Sequence, residues 1–507
     1  MEVYQEMSFS DKEFKLSVNK VKRRLRAFGH EDFLINTINY LNYPSDRKYG
    51  FVERQPWLLM LLLKWKFKLE SGKKKLTYEK FYKLINFAHK NLSNKIKMPT
   101  EYTHYNLFFR NVAYQQFYYQ DDFSLPRLIR QYIFFCDKPK NHSINCMFEG
   151  EYKIGVKEFT MLSLYLMTLI NDSKSIEISR AQFKEFDRNF GGEKVDMFLD
   201  AISVRIEDVK RNILKYENTT SNKFYSEYYE ESPFHYFPLI KISSYYYCIH
   251  KSILGKLLEN FVYDSLTKIS REEFNRHFTK IFEKYVEDIF VDNFPSAWTE
   301  RKLKTVVNND SKVVDLLYSN KDVNIFIDAK AVEMPHRGKV SDSSNIVLGR
   351  VKSSALKAIK QACELNSFLN YNSDSQLPKY KRESYLLVIT MKDLFLGNGV
   401  SFFESVAVGK YEELHEEFGE SNCIKPSNIY FITIDDFDFL MQLKKEESLD
   451  LIDIIRDATV RDSRSQTRMF HFTQHLHKLN LNSGLPLHLD KHFERLVREY
   501  SSTLLGK

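Results

Sequence analysis

The sequence predicts a mixed protein of the α+β or α/β class, with a mainly helical first half, a compact helix-flanked sheet, and a helical tail. Three observations carry this. Apolar residues recur at helical spacing through much of residues 1–255, β-like runs cluster between 298 and 334 and again at 384–390, and an amphipathic segment divides the two regions. The boundaries that follow are 1–255, 270–447 and 448–507.

In the first region, WLLMLLLKWKFKL, YEKFYKLINFAHKNL and EFTMLSLYLMTLI are long apolar or 3.6-periodic runs. Turn signals fall at Tyr43-Pro44-Ser45, Gly191-Gly192 and Ser232-Pro233. The stretch 234–250 alternates more like strands, and 251–269 reads as a helix leading out. No catalytic constellation stands out here. Charge does: between Lys64 and Lys97 eleven lysines face only Glu70 and Glu79, a local +9 against +8 for all 507 residues. Interleaved with Trp65, Phe67, Tyr78, Phe81, Tyr82 and Phe87, this run is a candidate nucleic-acid surface, with Lys73, Lys74 and Lys75 at its centre. A solvated helix face is the competing reading.

The second region opens with 271–294, whose apolar residues at 274, 278, 281, 282, 285, 286, 289 and 290 form one buried stripe. Three β-like runs follow, WTERKLKTV, KVVDLLYS and VNIFIDAKAVEM, the last two joined by a turn at Asn320-Lys321-Asp322. A polar, basic loop (335–350) leads to a helix at 350–369, a buried strand SYLLVIT, a second helix, and the strand NIYFITI running into a helix. The core order is αβββαβ, with an αβα continuation; a turn at 484–486 interrupts the tail.

The hairpin carries the chemistry. Asp328 and Lys330, two apart on a strand, point to one face. With the turn centred between Asn320 and Lys321, Asp315 faces Phe326, making Asp328 its diagonal neighbour at roughly 7–8 Å between Cα atoms. The flanking Val313, Val314, Leu316, Leu317, Ile325, Phe326 and Ile327 read as strands buried on both faces. Two aspartates buried together cost several kcal/mol without compensation, roughly, and a hard divalent cation, Mg or Mn, would supply it.

A helix bearing Glu, a strand with Asp, then a strand with Asp-x-Lys resembles the PD-(D/E)xK nuclease superfamily, the restriction-endonuclease-like fold. The matching elements are Glu283 in IFEKYVEDIF, Asp315 in KVVDLL, Asp328-Ala329-Lys330 in FIDAKA, and Gln361 in ALKAIKQACEL, spread over about a third of the chain, with Val314 where the family name has Pro. Glu287 also fits loosely, but Glu283 lies about 100° from the buried stripe and Glu287 about 140°. The resemblance implies a Mg-dependent (or Mn-dependent) endonuclease acting on DNA. Asp315, Asp328, the Ala329 carbonyl and Glu283 hold the ion, Lys330 acts on water or phosphate, and Gln361 lies near the scissile phosphate. Arg337, Lys339, Arg350 and Lys357 are candidate phosphate contacts, with Lys352, Lys360 and His336 beside them. By analogy alone, the biology is prokaryotic anti-phage defence or restriction, with the helical half supplying recognition or control. Two strands and one active site per chain suggest a homodimer, and the resemblance leaves any partner protein or phage-derived trigger open. The alternatives are RNA as substrate, or a nucleic-acid-binding or scaffold protein on a degenerate nuclease fold.

Composition sets the outer limits. At 43% hydrophobic and 28% charged, the chain reads as an ordinary globular protein of about three domains' length. The longest early apolar stretch breaks at Lys64, so no membrane span is expected; the polar first residues and five scattered cysteines without a C-x-x-C pair fit a cytoplasmic protein. No phosphate-binding G-x-x-x-x-G-K-[ST] loop is present. His471 and His475 have a spacing that can bind zinc, but without an intervening Glu or a nearby Cys they read as structural.

Overall fold

The computed structural model describes residues 11–42, 54–96, 102–120, 123–136, 143–172, 176–217, 224–307, 313–372, 376–446, 449–479 and 484–505. The expected turn at Tyr43-Pro44-Ser45 and the last lysine of the basic run, Lys97, lie outside them. The chain is mixed α/β and forms two compact units. One comprises Met1–Thr100, Asn111–Arg271 and His492–Lys507; the other comprises Glu101–Arg110 and Glu272–Lys491. The tail read as a single extension is thus shared between the two, and nothing in the sequence marks Glu101–Arg110 as part of the second.

In the first unit, helix Pro56–Lys68 starts on a proline, whose missing N–H costs nothing at the first helical position. Its apolar run is buried on all sides, Lys64 and Lys66 included. This corrects the charge reading. Lys64 sits among Glu217, Glu227 and Glu230, at 3.3, 2.8 and 3.6 Å. The Lys66 ammonium donates to the Glu70 carbonyl, and burial lowers its pKa to about 8. Lys68 pairs with Glu217. These three lysines hold the interior and its margin together, as do Trp65, Phe67 and Phe81, which are buried. From Lys73 to Lys75 the run is solvent-exposed. Helix Lys184–Phe190 ends at Gly191, whose φ of 85° is in the region that glycine tolerates best.

The strands expected in 234–250 are β3 (Leu239–Ile242) and β4 (Tyr245–Cys248). They join β1 (Glu177–Ser179) and β2 (Ser203–Arg205) in the order β1-β4-β3-β2. The latter two are three residues long, too short to show alternation.

The second unit is built on a sheet ordered β5-β6-β7-β8-β9, where β5 is Trp298–Thr299, β6 Leu316–Ser319, β7 Val323–Lys330, β8 Glu383–Thr390 and β9 Ile429–Thr433. β5, β6 and β7 are antiparallel neighbours, whereas β7, β8 and β9 run parallel through helical crossovers. Helix Arg271–Asn293 precedes the sheet and buries Phe274, Phe278, Phe282, Tyr285, Val286 and Phe290, the expected stripe. Two expectations need correction. WTERKLKTV is not one strand: Thr299 caps helix Glu300–Lys304, accepting from the Lys302 N–H. The supposed loop 335–350 holds helices His336–Lys339 and Ser344–Val351. Among the described residues, no helix is long and apolar enough to cross a membrane.

Candidate active site

β7 lies inside the sheet, hydrogen-bonded to β6 on one side and β8 on the other, and it is buried from Val323 to Ala329. Asp328 is therefore only 1% exposed. Lys330, two residues on, shares its face and places Nζ 2.5 Å from Asp328 Oδ2. That contact is an ion pair without hydrogen-bond alignment, and neither oxygen of Asp328 accepts a hydrogen bond among the described residues.

The hairpin register differs from the expected one by two residues. Leu317, not Asp315, pairs with Phe326, and Leu316 pairs with Ile327. The Asn320 side chain accepts from the N–H groups of both Asp322 and Val323, which centres the turn on Lys321-Asp322. An even shift keeps every side chain on its face. Its effect is to bring Asp315, just before β6, directly across from Asp328 instead of diagonal to it. Asp315 Oδ2 accepts from the Ala329 N–H at 2.6 Å. Since N–H and C=O of one strand residue leave by the same edge, the Ala329 carbonyl is directed to that side too.

Burial pushes the Asp315 carboxyl well above its ordinary pKa, and the negative charge of Asp328 adds to this; Lys330 and the Ala329 N–H oppose it. Glu283, half-buried on helix Arg271–Asn293, is also raised: burial is the main cause, Lys330 opposes it, and Glu300 and Asp328 reinforce it. Glu287 instead pairs with Lys284 at 3.1 Å. Of the two helical glutamates, Glu283 is the one that feels the Asp–Lys group.

Gln361 is not a solvated helical glutamine. It is buried on helix Lys357–Tyr371, and its Nε2 donates to the Val313 carbonyl at 2.8 Å, two residues ahead of Asp315. Its Oε1 is buried without a hydrogen-bond partner among the described residues. Lys357, one turn earlier, is exposed and close enough to act on Glu283. Lys360 is engaged with Glu417. Arg337 and Arg350 are exposed on the two short helices of 335–351, and Lys339 is half-buried. Lys73, Lys74 and Lys75 belong to the other unit.

Sequence reasoning missed Glu300. Its N–H donates to the Asp315 carbonyl at 2.7 Å, fixing the approach to β6, and its carboxylate raises Glu283. The signal was the Thr-Glu pair at 299–300, a helix cap followed by a first-turn acid, which was read as strand. The histidines behave as structural: His475 bonds Asp462 at 3.1 Å in a buried site.

The donor set suits a hard cation. Asp315 and Asp328 offer carboxylate oxygens, two of them without a hydrogen bond, and Ala329 offers a carbonyl. Among the described residues, no three His, Cys, Asp or Glu side chains gather as a ready shell. No family model, curated protein or solved structure matches the chain.

Proposed function

We propose that residues 270–447 form a restriction-endonuclease-like core and act as a Mg-dependent nuclease that hydrolyses DNA phosphodiester bonds. The observation that carries this is the charge imbalance: two facing aspartates and a nearby glutamate, all buried or half-buried, have Lys330 paired with Asp328 and Lys357 acting on Glu283 alone, too little to keep Asp315 and Glu283 from being raised. Such a cluster is costly to fold and has a use where a cation must be bound. Asp315, Asp328 and the Ala329 carbonyl would hold Mg or Mn. The ion would supply Lewis acidity at the scissile phosphate and a more acidic bound water. Lys330, on the rim of the buried strand, places its ammonium where charge builds on the phosphoryl oxygens. Glu283, whose carboxyl burial raises above its ordinary pKa, would orient or deprotonate the attacking water. Gln361 fixes the Val313 carbonyl and with it the chain entering Asp315. Arg337, Lys339, Arg350 and Lys357 serve as phosphate contacts, and two chains acting together would cut a duplex. A role in anti-phage defence rests on analogy with nucleases of this architecture.

A second reading, a nucleic-acid-binding protein on a degenerate nuclease fold, is favoured by the absence, among the described residues, of a group of three side chains placed to hold a metal. Nicking of supercoiled plasmid separates them, with single-stranded RNA run in parallel. The wild type should cut in Mg and stop in EDTA, and Asp315→Ala and Asp328→Ala should be folded yet inactive. Undiminished cutting in chelator, or in either variant, would remove this assignment.

A further inference from the structure

The basic run of the first unit acquires neighbours that its sequence position does not reveal. Phe28 and Lys74 form a parallel β-bridge, with the Gly72 N–H on the Phe28 carbonyl at 2.7 Å and the Lys74 N–H on the Ala27 carbonyl at 3.0 Å. This seats Lys73, Lys74 and Lys75 beside the basic end of helix Asp11–Leu25, where Arg23 and Arg26 are exposed. Gly72 makes the approach possible: a Cβ there would meet the Arg26 and Ala27 carbonyl oxygens at 2.3 Å. On the other side the Leu76 N–H donates to Asp32 Oδ2, which fixes where helix Tyr78–Asn91 begins. Its first two turns then present Tyr78 and Tyr82, four residues apart on one flank.

These two rings are 58% and 48% exposed, beside half-buried Tyr40, whereas Phe81 on the same helix is fully buried. Exposed tyrosines next to an arginine–lysine strip are not what packing asks for. The combination fits a ligand that carries regular negative charge and free aromatic faces together. A duplex has the charge but hides its base faces in the stack; an acidic peptide has the charge without the faces; a lipid headgroup has neither spacing nor faces.

We propose that this surface, Arg23, Arg26 and Lys73–Lys75 leading to Tyr78 and Tyr82, binds single-stranded DNA, the cations tracking phosphates and the two rings stacking on unpaired bases. The proposal goes beyond the nuclease reading and stands or falls without it, because binding is measured in EDTA, where no cutting is expected.

Fluorescence anisotropy of the full chain with a labelled short oligodeoxynucleotide, its duplex and the matching RNA strand tests it. Single-stranded DNA should bind tightest. Tyr78→Ala and Tyr82→Ala should each weaken it about tenfold while leaving duplex affinity and the salt slope unchanged. Tyr82→Phe should retain binding, since stacking needs the ring and not the hydroxyl. Exchanging Lys73, Lys74 and Lys75 for Glu should weaken single strand and duplex alike and flatten the salt dependence. Gly72→Ala should weaken binding without removing any charge. Equal affinity for duplex, a preference for RNA, or tyrosine variants that bind like wild type with unchanged melting curves would overturn the proposal.

Discussion

Two buried clusters of lysine and carboxylate, one in each unit, differ in how far their charges are matched. Around Lys64 the charges balance and the acceptors are used: Lys68 joins it on Glu217, the Trp65 Nε1–H donates to Glu227 at 2.9 Å, and Lys22 stands close by. Three cations serve Glu217, Glu227 and Glu230. Burial alone would depress the Lys64 pKa, but Glu227 and Glu230 outweigh it and hold it above its ordinary value. Around Asp328 the balance fails. Lys330 is paired with Asp328 and acts on Asp315 and Glu283, with Lys357 as a lesser influence on Glu283 alone; Asp315 and Glu283 are still pushed up, and Asp328 Oδ1 has no hydrogen-bond partner among the described residues. A group present only to stabilise would resemble the first cluster; under the proposed function the second has a cation to bind.

The sharpest way to break this contrast is to remove one member of each. Asp328→Ala should lower DNA cleavage about a thousandfold or more, the several kcal/mol expected of a lost metal ligand, while the protein melts no lower in EDTA. Lys330→Ala should also abolish cutting but keep metal binding, because the ammonium is not a ligand. Lys64→Met should do the opposite, leaving three buried glutamates without their central cation and costing about 3–5 kcal/mol in thermal or denaturant unfolding. Activity lost through Lys64 at full stability, or stability lost through Asp328, would erase the distinction.

Acidity should separate Glu217 and Glu227 from Asp315 and Glu283 by sign. Against the pull of burial, Glu217 is lowered by Lys68 and Lys64 and Glu227 by Lys64, whereas burial raises Glu230 in the same cluster with Lys64 opposing it. The stabilisation from Glu217 and Glu227 is present above the unfolded carboxyl value of about 4.3 and is lost as pH falls through the lower folded values. Asp315 and Glu283 are raised, so the folded state binds the proton more tightly than the unfolded one. Their contribution is most favourable below about pH 4 and erodes as pH rises through the elevated folded values. Melting curves against pH should therefore show Glu227→Gln losing stability at neutral pH, with the loss shrinking in acid. Asp315→Asn should gain stability at neutral pH in EDTA, with the gain vanishing in acid. Curves of the same sign would mean that both clusters are structural.

The smallest effect concerns Gln361. Gln361→Ala should cost about 1 kcal/mol, one hydrogen bond to a backbone carbonyl, and reduce cleavage only partly. A large loss of cleavage at unchanged stability would instead put Gln361 on the scissile phosphate.

Much of the second unit was legible because its elements are long and its patterns regular: the stripe from Phe274 to Phe290, the doubly buried β7, and the Asp-x-Lys pair on one face all follow from spacing. The register was not, because one turn residue decides it: the bonds from Asn320 to Asp322 and Val323 move the turn centre by one position and Asp315 by two. Glu300 was hidden by the same short range, a two-residue strand giving way to a capped helix. In the first unit, composition showed the lysines but not their fate. A count of charge treats Lys64 and Lys73 alike, although Lys64 lies in an apolar run, and its partners are the acids from Glu217 to Glu230, more than 150 residues away.

The central claim, that the Asp315–Asp328 pair awaits a divalent cation, is tested most directly by the melting temperature of the EDTA-treated protein as Mg is added at neutral pH. The wild type should rise with Mg, by the equivalent of about 2.7 kcal/mol once Mg reaches a hundred times its dissociation constant, and Asp328→Asn should not respond. A wild type indifferent to Mg, or an Asp328→Asn variant that rises equally, would contradict the account.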